Sequence, residues 1–191
     1  MLPSMAPPHG SGRLTADDWI QAGFAVLVDS GPNALRIEPL CERLHVTKGS
    51  FYWHFRDRDA LHAAMLERWR ADTTKNAIEL VEAESVDKGD RLTRLIGLAT
   101  KNTWVARLDI AIRAWAKTDT RAAAAVAAID RIRMDYIATL LGDLGFAPHT
   151  ARLRARILYL ALIGGFFTEG GGKSVPDAAL WEEAERLIVR A

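Results

Sequence analysis

The chain has 191 residues, enough for one large domain or two small ones, and its 49% hydrophobic and 26% charged residues are typical of a folded globular protein. Its net charge of +1 excludes a whole-molecule field that attracts nucleic acid or membrane, so such a contact requires a local patch. The single cysteine, Cys41, excludes an intramolecular disulfide and fits a reduced, cytoplasmic setting, while the apolar run at 157–167 is shorter than the ~20 residues of a membrane span.

Apolar residues recur with a helical period along most of the chain, and strand-like alternation is scarce. This pattern predicts an all-α protein of about nine helices. The predicted helices are 16–29, 37–44, 48–55, 58–79, 91–103, 107–116, 120–143, 148–168 and 177–190. A polar stretch at 83–90 indicates a loop between two parts of the chain.

The first predicted helices are short and bounded by clear signals. Thr15 is the expected N-cap of the first helix, and Gly31 followed by Pro32 ends it. Thr47 is the expected cap of the third helix. The second and third helices are joined by only a few residues, so residues 37–55 are predicted to form a helix-turn-helix.

The third helix lies in the segment VTKGSFYWHF, residues 46–55, which holds four aromatic residues among its last five positions. Advancing 100° per residue from Lys48 puts Phe51 and Phe55 at about 300° and 340°, on one face that can anchor the helix. The same helical angles predict exposed or rim positions for Gly49, Ser50, Tyr52, Trp53 and His54. Exposed rings favour a partner, and Tyr, Trp and His can donate to phosphate oxygens.

Residues 31–61, GPNALRIEPLCERLHVTKGSFYWHFRDRDAL, resemble the DNA-binding domain of the tetracycline-repressor (TetR) family of transcriptional regulators. The likeness is closest at residues 46–55 and is continuous there. It implies a flexible N-terminal arm at 1–13, a helix-turn-helix domain at 14–60 and a helical ligand-binding and dimerisation domain at 61–191. It also implies a cytoplasmic regulator, acting as a repressor, whose partner is a double-stranded DNA operator.

The resemblance places the third helix in the major groove of DNA. The residues it implies for DNA contact are Thr47, Lys48, Gly49, Ser50, Tyr52, Trp53 and His54. It further implies that the start of the second and fourth helices holds phosphates, which points to Arg36 and Arg58. The chain departs from many relatives at 36–39, where Arg-Ile-Glu-Pro replaces a Thr or Ser pair, and acidic and basic residues balance over 13–70. We therefore expect moderate affinity that depends on both halves of a dimer.

The end of the chain is predicted to form the homodimer interface that a palindromic operator requires. The run at 157–167 is apolar on most sides, and its small residues allow close approach of a second helix. In TetR relatives the last two long helices of each subunit form a four-helix interface. The residues expected there are Ile157, Ala161, Gly164, Gly165, Leu180 and Leu187. The alternative is that these residues form the core of a monomeric bundle.

The resemblance also implies a small-molecule effector pocket between the two ends, whose occupation releases DNA. Large apolar residues at helical spacing are the candidates for its lining, although such residues also build ordinary cores. They are Trp104, Leu108, Ile112, Trp115, Met134 and Ile137. The ligand itself is not identified by these residues.

No pattern in the chain predicts catalysis, a metal site or a cofactor. The five histidines have no metal-ligand spacing, and EGGGKS at 169–174 lacks the first glycine and the preceding strand of a phosphate loop. An enzyme is therefore the more distant alternative. The nearer one is a helical protein-interaction module without DNA binding, which salt-sensitive retention on DNA would distinguish.

Overall fold

The computed structural model describes residues 14–84, 87–168 and 178–189. The predicted arm at 1–13 and the EGGGKS segment lie outside the described residues. The helices are α1 Ala16–Ser30, α2 Ile37–Leu44, α3 Lys48–His54, α4 Arg58–Arg70, α5 Asn76–Glu84, α6 Lys88–Lys101, α7 Thr103–Trp115, α8 Thr120–Asp143, α9 Pro148–Thr168 and α10 Ala178–Val189. The described ranges contain no strand, which confirms the predicted all-α class.

Helices α4 and α5 form one rod, because the π-helical segment Ala71–Lys75 joins them without a break. Counted as one helix, this rod brings the described total to the predicted nine. The rod reaches five residues beyond the predicted end at 79. None of the described helices has an apolar stretch long enough to cross a bilayer.

Helix ends follow the predicted capping chemistry with one exception. Thr15 and Asp18 form a reciprocal capping box at the start of α1, as the sequence predicts for Thr15. Asp57 caps α4 by accepting a hydrogen bond from the Ala60 N–H at 2.8 Å. The capping prediction for Thr47 is wrong in its mechanism, because its extended backbone precedes α3 but its side chain makes no capping hydrogen bond.

The first hydrophobic core joins α1–α4 to the middle of the chain. Trp19, Phe51 and Leu61 are fully buried in it, and the Trp19 and Phe51 rings meet edge to face with centroids 5.3 Å apart. Helices α1 and α4 approach so closely that a Cβ at Gly23 would lie 2.6 Å from the Met65 sulfur. The first four helices are therefore held as a rigid unit.

The same core continues into α7 and α8, while a second core joins α6, α8, α9 and α10. Members of the first core from the middle of the chain are Leu108, Ile112, Trp115, Ala122 and Ile129. The second core includes Leu92, Ile137, Leu140, Leu141, Leu158, Tyr159, Trp181 and Ile188. Long helix α8 contributes to both, so it connects the two halves of the molecule.

Candidate nucleic-acid interface and ligand cavity

The turn between α2 and α3 depends on a left-handed residue. His45 has φ 55° and ψ 43°, a conformation that is uncommon for residues other than glycine. Its N–H donates to carbonyl oxygens of the last turn of α2, and the Val46 N–H donates to the Cys41 carbonyl at 3.0 Å. This short reversal lets α3 begin at Lys48 and pack across α2.

Helix α3 separates its rings as the helical angles predict. Phe51 is fully buried and Phe55 is 8% exposed, and their ring centroids lie 5.8 Å apart. On the other side Tyr52 is 57% exposed and Trp53 is 71% exposed. Two rings therefore hold the helix in the core, and two lie on the surface.

The other residues expected to contact DNA differ in their placement. Thr47, Lys48 and Gly49 are exposed at the start of α3, and Ser50 is half-buried. A Cβ at Gly49 would meet nothing closer than the Thr47 hydroxyl at 3.7 Å, so the chain's own packing does not require glycine there. His54 is half-buried, and its Nε2 is shielded without a hydrogen-bond partner, so this atom does not lie on the outer surface.

Most cations of the first four helices are neutralised within the chain. The Lys48 Nζ lies 2.6 Å from the Glu38 carboxylate, and this hydrogen bond lowers the pKa of Glu38. Glu38 therefore turns toward the base of α3 and offsets its positive charge. Within residues 14–70, the arginines and lysines without a carboxylate within 4.0 Å are Arg36 and Arg58.

Arg36 and Arg58 both lie at helix N-termini and are exposed. Arg36 is the N-cap residue of α2, where its side chain makes no capping bond, and Arg58 is the first residue of α4. The positive end of a helix dipole disfavours a cation by roughly 0.3–1 kcal/mol. The chain itself therefore does little to stabilise the charges of these two arginines, and an external anion would stabilise them.

A cavity of about 90 Å³ lies in the other half of the molecule, between α5, α6, α8, α9 and the π segment. Its wall is mainly apolar, with a polar group at the π segment. The residues around it are Asp72, Thr73, Thr74, Ala77, Ile78, Leu80, Leu95, Leu98, Ala99, Val105, Asp109, Arg133, Tyr136, Ile137, Tyr159, Leu162 and Phe166. It is the larger of two neighbouring cavities among the described residues.

Of the six residues predicted to line a ligand pocket, only Ile137 borders this cavity. The structure places Leu108, Ile112 and Trp115 in the first core, against α1 and α4, and Trp104 packs at its edge. Met134 packs on the second core. The faces of α7 and α8 that carry these five residues meet neighbouring helices and do not border this cavity, so their role in ligand binding stays a prediction.

A buried polar network that the sequence analysis missed closes one end of the cavity. The Arg133 guanidinium donates to the Asp109 carboxylate at 2.9 Å and to the hydroxyls of Thr73 and Thr74 at 2.9 and 3.0 Å. Arg113 donates to Asp109 at 2.6 Å. Asp109 is only 1% exposed, so these contacts offset the cost of burying its charge. The i, i+4 spacing of Asp109 and Arg113 was the available sequence signal.

The network continues through Asp130 and Tyr159. Arg113 binds both oxygens of Asp130, at 2.6 and 3.0 Å, and the Tyr159 hydroxyl donates to Asp130 at 2.6 Å. Burial raises the pKa of Tyr159 to about 12, so its hydroxyl stays protonated. Burial alone would raise the pKa of Asp130, but hydrogen bonds from Arg113 and Tyr159 outweigh it and leave that pKa lowered. The group therefore holds two cations and two anions.

Helix α4 is fixed at both ends to the rest of the molecule. At its start, Asp59 pairs with Arg121 of α8 at 3.1 Å. In its middle, His62 is buried edge to face against Trp115, with ring centroids 4.9 Å apart. At its end, the π segment supplies the hydroxyls that bind Arg133. The cavity wall and the α3 surface are thus connected by one helical rod.

The residues predicted for the dimer interface separate into two groups. Ile157, Ala161 and Gly164 of α9 and Leu187 of α10 are exposed. Gly165 is instead buried, and its would-be Cβ would lie 3.8 Å from the Trp181 ring of the same chain, so it packs between α9 and α10. Leu180 lies in α10, but its side chain lies outside the described residues.

An apolar stripe runs along the outer side of α9. Leu153, Ile157, Leu160 and Phe167 are each between 52% and 58% exposed, although all are large hydrophobic residues. With Ala161 and Gly164 they fall within about 120° of the helix circumference at 100° per residue. A continuous exposed apolar face of this kind marks an interaction surface.

No group of three potential metal ligands occurs among the described residues.

Comparison with known proteins gives a family match over the first part of the chain. Residues 20–65 match the model described as "Bacterial regulatory proteins, tetR family". None of the curated proteins compared with the chain matches it significantly.

Solved structures match nearly the whole chain. The reduced form of NemR from E. coli has a TM-score of 0.70 at 18% identity, over 92% of this chain and 95% of that one. A TetR-family transcriptional regulator from Agrobacterium tumefaciens gives 0.69 at 18% identity, over 92% and 93%. FadR from Bacillus subtilis, in complex with stearoyl-CoA, gives 0.68 at 13% identity, over 92% and 98%. At these identities the likeness establishes the fold.

Proposed function

We propose that the chain belongs to the TetR family of transcriptional regulators, because residues 20–65 match that family's model and the chain shares its fold with solved members of the family. On that premise, we propose that the protein is a ligand-responsive repressor that binds a palindromic DNA operator as a homodimer. The observation that carries this proposal is the surface of α3, which exposes Tyr52 and Trp53 while Phe51 is fully buried.

The exposed side of α3 suits the major groove of DNA. Lys48 and Ser50 lie near its N-terminal end, the part of a recognition helix that meets base edges. The Tyr52 hydroxyl and the Trp53 indole can donate to phosphate oxygens, which fixes the register of the helix on the duplex. At Gly49 the open space above the backbone allows a DNA strand to approach closely.

Arg36 and Arg58 are proposed to hold phosphates on either side of α3. Each is exposed, has no carboxylate within 4.0 Å in the described part of the chain and opposes the dipole of its own helix. A DNA phosphate removes that mismatch and also accepts hydrogen bonds from the guanidinium group. Because Lys48 is partly neutralised by Glu38, these two arginines supply much of the local positive charge.

The homodimer is proposed to form through the apolar stripe of α9, with Leu187 of α10 beside it. Two copies related by a two-fold axis would cover each other's stripe, and Gly164 would let the helices approach closely. Arg156 is exposed near the edge of the stripe and would give the interface a polar rim. A dimer of this kind presents two α3 helices, as a palindromic operator requires.

The cavity is proposed to bind the effector that releases DNA. The π segment forms part of the cavity wall and is continuous with α4, whose first residue is the proposed phosphate-binding Arg58. A ligand that favours one arrangement of this rod shifts the population between DNA-binding and released states. The rod formed by α4, the π segment and α5 is thus the element through which the cavity would influence the DNA-binding surface.

The first experiment is selection of bound sites from a random DNA pool, followed by affinity measurements at several salt concentrations. We expect a palindromic site and an affinity that falls steeply with salt. Tyr52→Ala and Lys48→Ala should abolish tight binding, while Arg70→Ala, at the far end of α4, serves as the control and should bind normally. Salt-insensitive or absent binding to every DNA would favour a protein-interaction module instead.

The dimer is tested separately by sedimentation. Among the described residues a Cβ at Gly164 would meet nothing within 4 Å, so Gly164→Trp should leave the monomer folded and disrupt the dimer. Ala128→Trp, on an exposed position of α8, is the matched control. If Gly164→Trp still forms a normal dimer, the interface does not lie on this face of α9.

A further inference from the structure

The charged groups at the wall of the cavity are already engaged within the chain. Asp72 accepts a hydrogen bond from the Arg68 Nε at 2.6 Å. Asp109 is bound by Arg113 and Arg133, and all three guanidinium nitrogens of Arg133 donate to the chain itself. No described charge at this wall therefore lacks a partner.

The hydroxyl groups of the two tyrosines at the wall also form hydrogen bonds within the chain. Tyr159 donates to Asp130 at 2.6 Å and accepts from Arg113 at 2.9 Å. Tyr136 donates to Glu82 at 2.7 Å. The remainder of the wall is formed mainly by leucine, isoleucine, valine, alanine and phenylalanine side chains.

We propose that the effector taken by this cavity is a small, uncharged, largely apolar molecule. The inference rests on the proposed function, because it concerns the cavity assigned there to the effector. A charged ligand loses its hydration on entry, and the described wall of the cavity offers no unpaired counter-charge in return. The network at its end balances two arginines, Arg113 and Arg133, against two aspartates, Asp109 and Asp130.

The size of the cavity sets the size of the ligand. Its volume of about 90 Å³ is smaller than the apolar cavity of about 150 Å³ that holds one benzene molecule. The second cavity, of about 30 Å³, shares Leu95, Ala99, Ile137, Tyr159 and Leu162 with the first, so a ligand can extend toward it past mostly apolar side chains. Even together the two volumes fall short of a benzene-sized cavity, so a single-ring molecule requires the apolar walls to move apart slightly, and a long acyl chain or a nucleotide requires far more space.

One hydrogen bond to the ligand is available. The Thr74 hydroxyl borders the cavity and accepts from the Arg133 Nε at 3.0 Å. Its own proton has no acceptor in the described part of the chain, so it can serve a hydroxyl, ether or carbonyl oxygen of the ligand. A weakly polar group at one end of an apolar body matches this arrangement.

The test uses three probes of matched size: benzyl alcohol, benzoate and benzylammonium. Each is titrated into the protein at pH 7 and followed by calorimetry and by thermal unfolding. We expect benzyl alcohol to bind and raise the melting temperature, and both ions to bind at least ~10-fold more weakly, since every 1.4 kcal/mol is tenfold in affinity. Equal or tighter binding of either ion would overturn the inference.

A filled cavity provides the control on location. Ala99→Phe places a ring in the space at the shared wall and should abolish benzyl alcohol binding, with helicity retained. Ala128→Phe, exposed on α8, should bind as the unaltered protein does. Persistent binding by Ala99→Phe would place the probe elsewhere and overturn the assignment to this cavity.

The two proposals fail in different ways. Benzyl alcohol binding without any change in operator affinity would remove the regulatory role of the cavity and leave its preference for uncharged ligands standing. Operator binding with no response to any of the three probes, up to their solubility, would overturn the preference and leave DNA recognition standing.

Discussion

The core beneath α3 and the region around the cavity differ in how they are filled. Under α3, Trp19, Phe51 and Leu61 are packed without exposure, and α1 and α4 touch at Gly23. Around the cavity, apolar walls enclose unfilled space, and one end is closed by buried charges and a π-helical segment. The first region holds one arrangement rigidly, whereas the second has room and polar contacts to rearrange.

This difference suits a protein that must read a fixed pattern and respond to a ligand. On the proposed function, a rigid core would keep α3 at a constant angle, so movement of the whole unit would set its position on DNA. Irregular π turns often occur at functional sites, and here the turn joins α4 to the cavity wall. The comparison therefore predicts where substitutions affect folding and where they affect the response.

The largest effect is expected for Phe51→Ala. Removing a fully buried ring from the tight core should lower the free energy of unfolding by about 3–5 kcal/mol, because the packed surroundings cannot close the cavity. Tyr52→Ala, one residue on, should cost less than about 1 kcal/mol, since that ring is mostly exposed. Urea denaturation followed by circular dichroism measures both, and similar losses would contradict the separation of the two faces.

Arg133→Met tests how much the buried charges beside the cavity contribute to stability. It leaves Asp109 buried with Arg113 as its remaining cation, and we expect a loss toward the lower end of about 3–5 kcal/mol. Arg121→Met is the matched control, because that arginine pairs with Asp59 at the surface and should cost at most about 1 kcal/mol. Equal costs in denaturation would show that the buried network adds no stability.

Helix α4 connects the two regions, and its His62 should make the free energy of unfolding depend on pH. Burial, with the nearby Arg58 and Arg121, lowers the pKa of His62 below 6.5, and Asp119 opposes this only in part. The unfolded chain therefore binds more protons, so stability is full above about pH 6.5 and falls as the pH drops further, by at most about 1.4 kcal/mol per unit. His62→Leu should flatten this dependence in denaturation measured from pH 5 to 8; an unchanged slope would assign it to other groups.

The smallest effect is expected for Gly49→Ala. Alanine fits the open space and should stabilise α3 by up to about 1 kcal/mol, yet its Cβ would stand where the DNA backbone approaches and lower operator affinity. Gly97→Ala on α6, where only the tip of Lys101 lies within 4 Å, should gain similar stability without altering affinity. If both variants bind DNA as before, the start of α3 does not meet the duplex closely.

The positions of the helices were largely predictable, because each depends on signals close in sequence. Thr15, Gly31 and the apolar spacing of α1 to α3 act within one or two helical turns, and the predicted ends at 44, 143 and 168 agree with the structure. The π segment was not predictable from local signals, and the hydrogen bonds that its Thr73 forms with Arg133 join residues 60 apart in the chain.

The candidate sites divide in the same way. The surface of α3 follows from helical angles alone, so the exposed positions of Tyr52 and Trp53 were foreseen. The cavity lining was mostly missed, because a large apolar residue such as Leu108 or Ile112 has the same pattern whether it borders a cavity or fills a core. Which neighbour each face of α7 and α8 meets decides between them.

The sequence by itself determined the all-α class, the helix order and the two-sided character of α3, since these depend on local hydrogen bonding and on the spacing of apolar residues. Only the tertiary structure decided that Lys48 pairs with Glu38, that Arg36 and Arg58 have no carboxylate within 4.0 Å among the described residues, and that Asp109 and Arg133 meet beside a cavity. These outcomes depend on distances between residues far apart in the chain, which are fixed only when the helices pack.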